Sequence, residues 1–385
     1  MLAHRIPFLP SDDAQFFAAL PAAPAVFMLR SGNAEAEPYV SKTANLRRRL
    51  LRLLGPSAQP SKRLNLRDRV QSVEFNSTGS DFESGFLLYQ LLRETFPQAY
   101  GARMRFRFAA LVKLHLENAY PRASVTRRLG RPGGKSAYYG PFPSRAFAEK
   151  FASNSLDFFK MRRCVEDLSP DPNFPGCVYS EMKMCLAPCF KGCSDAEYRS
   201  EVQHVQSYFD SGGDSLFRAL SSERDSASAE LQFEQASALH ARLEKLKPLL
   251  SQLPELVRRI DELKAVLIQS SPDPSAVNFF RVDEGCIAGP FAFFIQPVEH
   301  TRPQSMEARV EDLLHVSPKA EPKSAVEVME HLAILKRWYF RSTRKGEIFM
   351  ADATGTLPLR RIVRGISRVY RNEPAQMENP PALEN

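Results

Sequence analysis

The 385-residue sequence contains no run of eighteen apolar residues, so no membrane-spanning helix is expected. Pro7, Pro10, Asp12 and Asp13 interrupt its start, which lacks the continuous apolar core of a secretory signal. Cysteines number only six, and with no export signal they do not read as the disulfide framework of a small secreted domain. A reducing cytoplasm, with no membrane, is the expected setting. Histidines number seven, and His115 has no second histidine to pair with. It is therefore read as a core or strand-surface side chain and not as a metal ligand. What remains is the composition of a soluble globular protein, 43% hydrophobic and 25% charged. The chain is too long for one ordinary core and should divide into two or three domains, with linkers marked by some of its 29 prolines.

The first half is also poor in acids. Lys42 to Arg69 holds nine Lys or Arg against Asp68 alone, and Arg103 to Lys135 holds nine against Glu117 alone. The whole chain carries 52 basic and 44 acidic residues, so acids accumulate in the second half. A basic half beside a near-neutral one reads as a surface for a polyanion, with nucleic acid the expected partner. Two stretches would present it. Leu46-Arg47-Arg48-Arg49-Leu50-Leu51-Arg52-Leu53-Leu54 has the pattern of a basic amphipathic helix closed by Gly55-Pro56. Arg127, Arg128, Arg131 and Lys135 lie in a Gly-rich loop suited to phosphate contact without base reading. Arg47, Arg48 and Arg52 join them as candidate DNA contacts.

Five of the six cysteines fall between Cys164 and Cys193, at 164, 177, 185, 189 and 193. Gly176 and Pro188 among them let the backbone turn back, so several sulfurs can converge. Four thiolates complete either a zinc site or an iron–sulfur cluster, and spacing alone does not separate the two. Cys-x-x-Cys is absent, which argues against a thiol redox protein.

The order of motifs resembles the UvrC family of excinucleases, which act in nucleotide excision repair. Tyr139-Gly140-Pro141-Phe142 leads to Met161-Arg162-Arg163-Cys164, then to Cys177 and Cys185-Leu186-Ala187-Pro188-Cys189, then to Leu231-Gln232-Phe233-Glu234-Gln235-Ala236. The resemblance covers roughly residues 20–300. It implies that Cys164, Cys177, Cys185 and Cys189 hold a [4Fe–4S] cluster, with zinc as the alternative, and leaves Cys193 outside the set. It further implies that residues 227–239, similar to the UVR motif, belong to a helical hairpin docking on a UvrB-like repair subunit, with Phe233 as aromatic anchor and Glu234 as its charged neighbour. His240 stands where arginine is usual.

The resemblance also implies a GIY-YIG nuclease domain at the N-terminus. Tyr39-Val40-Ser41-Lys42-Thr43-Ala44-Asn45-Leu46 is similar to its second half-motif, which would give catalytic roles to Tyr39, Lys42 and Arg49. A phenol relays protons and an arginine stabilises charge developing on phosphorus. Phe27 replaces the first motif tyrosine and Ser41 the glycine. The glutamate expected to bind Mg²⁺ or Mn²⁺ aligns with Tyr89, while Glu83 is expected to precede that helix and Glu94 to face elsewhere on it. Without a carboxylate the metal loses its protein ligand. The family's RNase H-like nuclease and paired helix–hairpin–helix modules have no matching segment in this sequence.

The expected fold is α+β and multidomain. Residues 1–102 form a GIY-YIG-like α/β sandwich, 103–160 a basic connector with strands over 104–116, and 161–195 the cysteine-rich region. Residues 196–269 are read as helical, containing the UVR-like hairpin at about 214–250, a kink or helix end at Pro248 before Leu250, and a further helix from Glu255 to about Ile268. Residues 270–371 form a small α+β region with a hairpin turning at Asp283-Glu284-Gly285, and 372–385 a disordered tail. The functional expectation is a DNA-binding repair protein whose incision site is degenerate. The alternatives are an active single-incision endonuclease, in which case Mg²⁺ or Mn²⁺ would be required, and a cysteine-based redox or zinc-structural protein.

Overall fold

The structure is a computed structural model and describes residues 2–33, 35–56, 64–131, 133–296, 304–321 and 324–373. Residues 374–385 of the expected tail lie outside the described residues, as do Lys62, Arg63 and Pro132 of the basic segments. Among the described residues the strands form three four-stranded antiparallel sheets. No helix there is long and apolar enough to cross a membrane.

The first sheet runs His4–Pro7, Val70–Ser77, Ala25–Ser31, Tyr39–Thr43 from edge to edge. Strand alternation gives it two apolar faces. Ala25, Phe27, Leu29, Val73 and Phe75 pack against Leu46, Leu50, Leu53 and Leu54 of the Arg-rich helix Leu46–Leu54. Val26, Met28 and Val40 pack against Leu87, Leu88 and Leu91 of helix Asp81–Thr95. Ser80 caps that helix by accepting from the Glu83 amide at 3.0 Å, so Glu83 lies in the first turn and not ahead of the helix.

The second sheet combines Ala123–Thr126, Ala110–Leu114, Ala137–Phe142 and the short strand Arg258–Arg259. It shares one core with helices Arg145–Leu156, Asp195–Asp210, Asp214–Ala229 and Phe233–Ser251. The capping box of Ser194 and Glu197 opens the helix that follows the cysteines, as the sequence indicates. The last helix continues through Pro248 to Ser251, beyond the expected kink or end. Proline there removes one donor near the end of the helix, while buried Leu246 and Leu249 hold the turn in place.

The third sheet runs Cys286–Phe294, Ala276–Asp283, Ala265–Ser270, Glu347–Met350. Leu267, Phe280 and Ile348 face helix Ala325–Tyr339, whereas Val266, Ile268, Phe279 and Phe349 face helix Leu359–Tyr370. The hairpin turns where the sequence indicates, with Glu284 at φ 49° and Gly285 at φ 77°, the left-handed pair that a two-residue turn needs.

Two expectations fail here. The helix from Glu255 to Ile268 is absent. Ala265-Val266-Leu267-Ile268 is instead a strand buried on both faces, which leaves no period to distinguish it from a buried helix. The expected boundary at 269/270 therefore cuts a strand. The other concerns the strands over 104–116. Residues Tyr100–Met104 are helical, Arg105 closes that helix at φ 51°, and the strand starts only at Ala110. Arg103 therefore lies in a helix and Arg105 and Arg107 precede the strand, and the boundary at 102/103 falls inside a helix.

Candidate functional site

Asn45 starts the Arg-rich helix, its Oδ1 accepting from the Arg48 amide at 2.9 Å. One turn on, Arg49 Nη2 donates to the Tyr39 hydroxyl at 2.9 Å, so two residues ten apart in sequence meet across the strand–helix junction. Phe27, fully buried, lies opposite Ser41 on the neighbouring strand, with its ring centroid 6.1 Å from that of Tyr39. Lys42 alternates to the other face of the sheet. There its Nζ pairs with Asp81 Oδ1 at 2.5 Å, and Asp81 also pairs with Arg341 from the third-sheet region. Burial alone would raise the Asp81 carboxyl, but the Lys42 and Arg341 cations outweigh it and hold it below its usual range. Of the three residues expected to act together, the structure unites Tyr39 and Arg49 and turns Lys42 away.

Tyr89 belongs to a different environment. It is buried, and its hydroxyl donates to Glu330 Oε2 at 2.8 Å while accepting from Arg93 Nη1 at 3.0 Å. Tyr100 donates to the other oxygen of Glu330 at 2.8 Å, and Arg93 pairs with Glu327. Helix Asp81–Thr95 is thereby latched to helix Ala325–Tyr339. The junction borders an open pocket of about 340 Å³ lined by Phe86, Tyr89, Arg93, Ile287, Glu327 and His331. Glu83 also serves the junction: its Oε2 accepts from the Gly79 amide at 2.8 Å, and burial raises its carboxyl. Nothing in a local sequence pattern signals the latch, because its partners lie 230 to 241 residues apart.

His331 makes this junction sensitive to acid. Its Nδ1 accepts from the Ile287 amide at 2.9 Å, and burial pushes its pKa down to about 4. The unfolded chain takes up the imidazole proton first as pH falls below about 6.5. Stability is therefore full above that value and declines between about pH 6.5 and 4, by an upper bound of about 3 kcal/mol. Melting temperatures measured from pH 7.5 to 4.5 should fall below pH 6.5, and His331→Gln, which keeps an acceptor, should flatten that fall. An unchanged slope in the variant would assign it to other groups.

The basic residues divide into two kinds. Arg47 donates from Nε to the Leu20 carbonyl at 2.8 Å and from Nη2 to Ala18 at 3.2 Å, so it ties the helix to the preceding turn. Arg48, Arg52, Arg127, Arg128, Arg131 and Lys135 are exposed. Lys336 on the third-sheet helix lies near them. Burial lowers its pKa first, and Arg127 and Arg107 lower it further, so this helix adds to the same positive field. The sequence pattern contains no sign of that addition. His115 matches expectation, its Nε2 bonded to Ser124 Oγ at 2.8 Å on the strand surface.

Around the cysteines the chain folds on itself through left-handed residues, Gly176 at φ 89°, Lys183 at 56°, Ala187 at 56° and Lys191 at 57°. Buried Arg162 anchors the segment. Its amide donates to the Tyr198 hydroxyl at 3.0 Å, and its guanidinium donates to the Tyr120 and Glu166 carbonyls at 2.9 and 2.8 Å. The same guanidinium reaches Cys164 Sγ at 3.3 Å, and the Ala187 amide reaches Cys185 Sγ at 3.3 Å. Burial pushes the Cys185 thiol up to about 11, with Cys164, Cys189 and Cys177 near enough to add to the shift. Cys193 is raised by burial and then by Glu197, Asp195 and Cys189. Among the described residues no three Cys, His, Asp or Glu side chains are grouped to hold a metal ion. The donor chemistry nonetheless suits a thiolate-bound group, with four soft sulfurs on one short segment and N–H donors aimed at two of them.

At the far end, helices Asp214–Ala229 and Phe233–Ser251 form an antiparallel hairpin. Its turn passes through Leu231 at φ 58° and leaves two large apolar side chains in solvent, Leu231 at 70% exposure and Phe233 at 66%. Glu234 beside them is exposed as well.

Residues 110–208 match the family model described as the UvrC/Cho excinuclease middle domain. Among curated proteins, the chain is 24% identical to UvrABC system protein C of Dehalococcoides mccartyi (strain CBDB1), over 86% of this chain and 54% of that protein. The protein of the same name from Ectopseudomonas mendocina is 26% identical over 74% of this chain and 46% of its own length, and that from Methanothermobacter thermautotrophicus 25% over 72% and 46%. The chain thus spans about half the length of the curated relatives it matches. No solved structure matches it.

Proposed function

We infer that this UvrC-family chain is a DNA-binding component of nucleotide excision repair whose N-terminal domain holds DNA without cutting it. The observation that carries this reading is the first sheet itself. Tyr39 and Arg49 meet on one face, whereas helix Asp81–Thr95 packs on the other and gives its Tyr89 to the latch with Glu330. A Mg²⁺ or Mn²⁺ ion beside the phenol–guanidinium pair would need oxygen ligands from elsewhere. The pair still places one donor-rich cation at the base of a basic helix, an arrangement suited to a phosphate.

On the same reading the exposed Arg48, Arg52, Arg127, Arg128, Arg131 and Lys135 contact the phosphate backbone. Leu231 and Phe233 at the hairpin tip are the apolar anchors for a UvrB-like repair subunit, flanked by Glu234. Cys164, Cys177, Cys185 and Cys189 would hold a [4Fe–4S] cluster. A tetrahedral zinc ion with bonds of about 2.3 Å asks its sulfurs to approach to roughly 3.8 Å. A four-iron cluster, bound at four separate corners, takes a wider set. The group would brace the loop between the second sheet and the helical hairpin.

Titrating duplex DNA at several salt concentrations tests the DNA reading. Affinity should fall steeply with salt and vary little with sequence, each neutralised phosphate contributing about −0.9 to the slope of log K against log salt. Arg127→Glu with Arg128→Glu should weaken every duplex by about tenfold or more and lower the slope by about two. A flat salt response would remove DNA from this reading.

A further inference from the structure

A cleft of about 1010 Å³ separates the end of the helical hairpin from the third-sheet region. Its walls come from residues 250–258, the exit of helix Ala325–Tyr339, the strand Glu347–Met350 and helix Leu359–Tyr370. Five arginines and two glutamates line it, so its charge is one-sided. Glu347 is taken up by Arg368 at 2.6 and 2.5 Å, so one acid and one arginine cancel, and Arg341 pairs with Asp81, which leaves a smaller positive excess. Arg258 lies exposed on the hairpin side.

Aromatic rings accompany the cations. Tyr339 and Phe340 both line the cleft, their centroids 5.0 Å apart and their planes at 80°. The Arg344 guanidinium stands 4.7 Å from the centre of Tyr339 and 5.2 Å from that of Trp338. Arg344 is itself one of the residues that line the cleft. Arginines interleaved with aromatic rings fit a ligand that alternates negative charge with flat apolar rings. A duplex is a rigid cylinder with its bases stacked inside, and it can offer this cleft only its phosphates. A single strand offers both phosphates and base faces.

We propose that the cleft bounded by Arg258, Tyr339, Phe340, Arg341 and Arg344 binds a single-stranded segment of nucleic acid. The proposal rests on the DNA-binding reading above and adds a second contact, remote in sequence from the basic loop at 127–135. The duplex would lie on the basic first half, and an unpaired stretch would enter between the hairpin and the third sheet. Arg341 connects the two, because its partner Asp81 is also the partner of Lys42 on the first sheet.

The experiment measures the full chain against a labelled oligothymidine, a duplex of matching length and a poly-glutamate peptide, by fluorescence anisotropy. Arg258→Glu with Arg344→Gln should weaken the single strand by about tenfold or more, since lost stacking and lost phosphate contact add. Duplex affinity should stay within about twofold, because the basic loop is untouched. A bromouracil-containing single strand should crosslink within residues 339–344. Should the double variant melt early, Arg258→Glu alone decides, since that side chain is exposed and a weaker loss confined to the single strand is still expected. Equal single-strand affinity in variant and parent, or crosslinks confined to the first sheet, would overturn the proposal. So would a cleft that takes the acidic peptide and ignores the single strand, since its occupant would then be a protein segment. Failure of the parent chain to bind even the duplex would instead sink the broader DNA reading.

Discussion

Tyr89→Glu, paired with Phe27→Tyr to rebuild both missing groups of the nuclease motif, should yield no Mg²⁺- or Mn²⁺-dependent nicking and a less stable protein. The new carboxylate would not face Tyr39 and Arg49, which lie across the sheet. It would face Glu330 and Glu327, with Arg93 as the nearby cation already paired to Glu327. Two consequences combine. Glu330 loses the hydroxyl donor it now accepts from, and a third carboxylate enters beside Glu330 and Glu327 with only Arg93 to offset it. Uncompensated charge at such a position costs about 3–5 kcal/mol. The ring also leaves its contacts with Phe86, Tyr100, Phe106 and His331. Tyr89→Phe, which removes only the hydroxyl, should cost about 1–2 kcal/mol and keep the fold. Urea unfolding of both variants separates the two effects. Metal-dependent nicking gained in the glutamate variant at unchanged stability would show that this helix face does reach the phenol–guanidinium pair.

Anaerobic purification should give a brown protein containing about four iron and about four sulfide per chain, the composition of a [4Fe–4S] cluster. Cys185→Ser should abolish both, because Cys185 is one of the four thiols assigned to the cluster and that set holds no spare donor. The segment from 161 to 195 should then open to proteolysis, since binding of such a group is coupled to folding. The ties that remain to it include the Arg162 bonds, Leu186 N–H to the Lys160 carbonyl at 3.0 Å, and Asp171 N–H to the Cys189 carbonyl at 2.8 Å. Cys193→Ser should leave the iron content intact, its thiol lying against Glu197 and Asp195 at the start of the next helix. Stoichiometric zinc without iron, or equal damage from Cys193→Ser, would replace this ligand set by another.

Much of the local structure was legible because it depends on short-range rules. Asn45 and Ser194 cap helices, and Glu284-Gly285 turns a hairpin through residues whose spacing is their whole signal, whereas the Ser80 cap, which brings Glu83 into the first turn, was missed. The Tyr39–Arg49 pair was expected from the family resemblance and not from spacing, and the contact joins one strand end to the next helical turn. Failures came where burial removes periodicity. Val266 and Ile268 face one helix and Leu267 another, so that strand reads as uniformly apolar. Pro248 failed as a stop because the surrounding leucines were already fixed by packing.

The sequence by itself determined the basic first half, the clustering of five cysteines along the chain, the two helices flanking residues 231–233, and the absence of a carboxylate at position 89. Only the tertiary structure decided what those features face. It turned Lys42 to the opposite side of the sheet from Tyr39, committed Arg47 to backbone carbonyls, and filled the place expected for a metal ligand with a tyrosine bonded to Glu330. It also brought Arg258 and Arg344 into one cleft. The physical reason is that pattern and propensity act within a few residues, whereas the partner of a buried polar group is whichever distant element packing sets beside it.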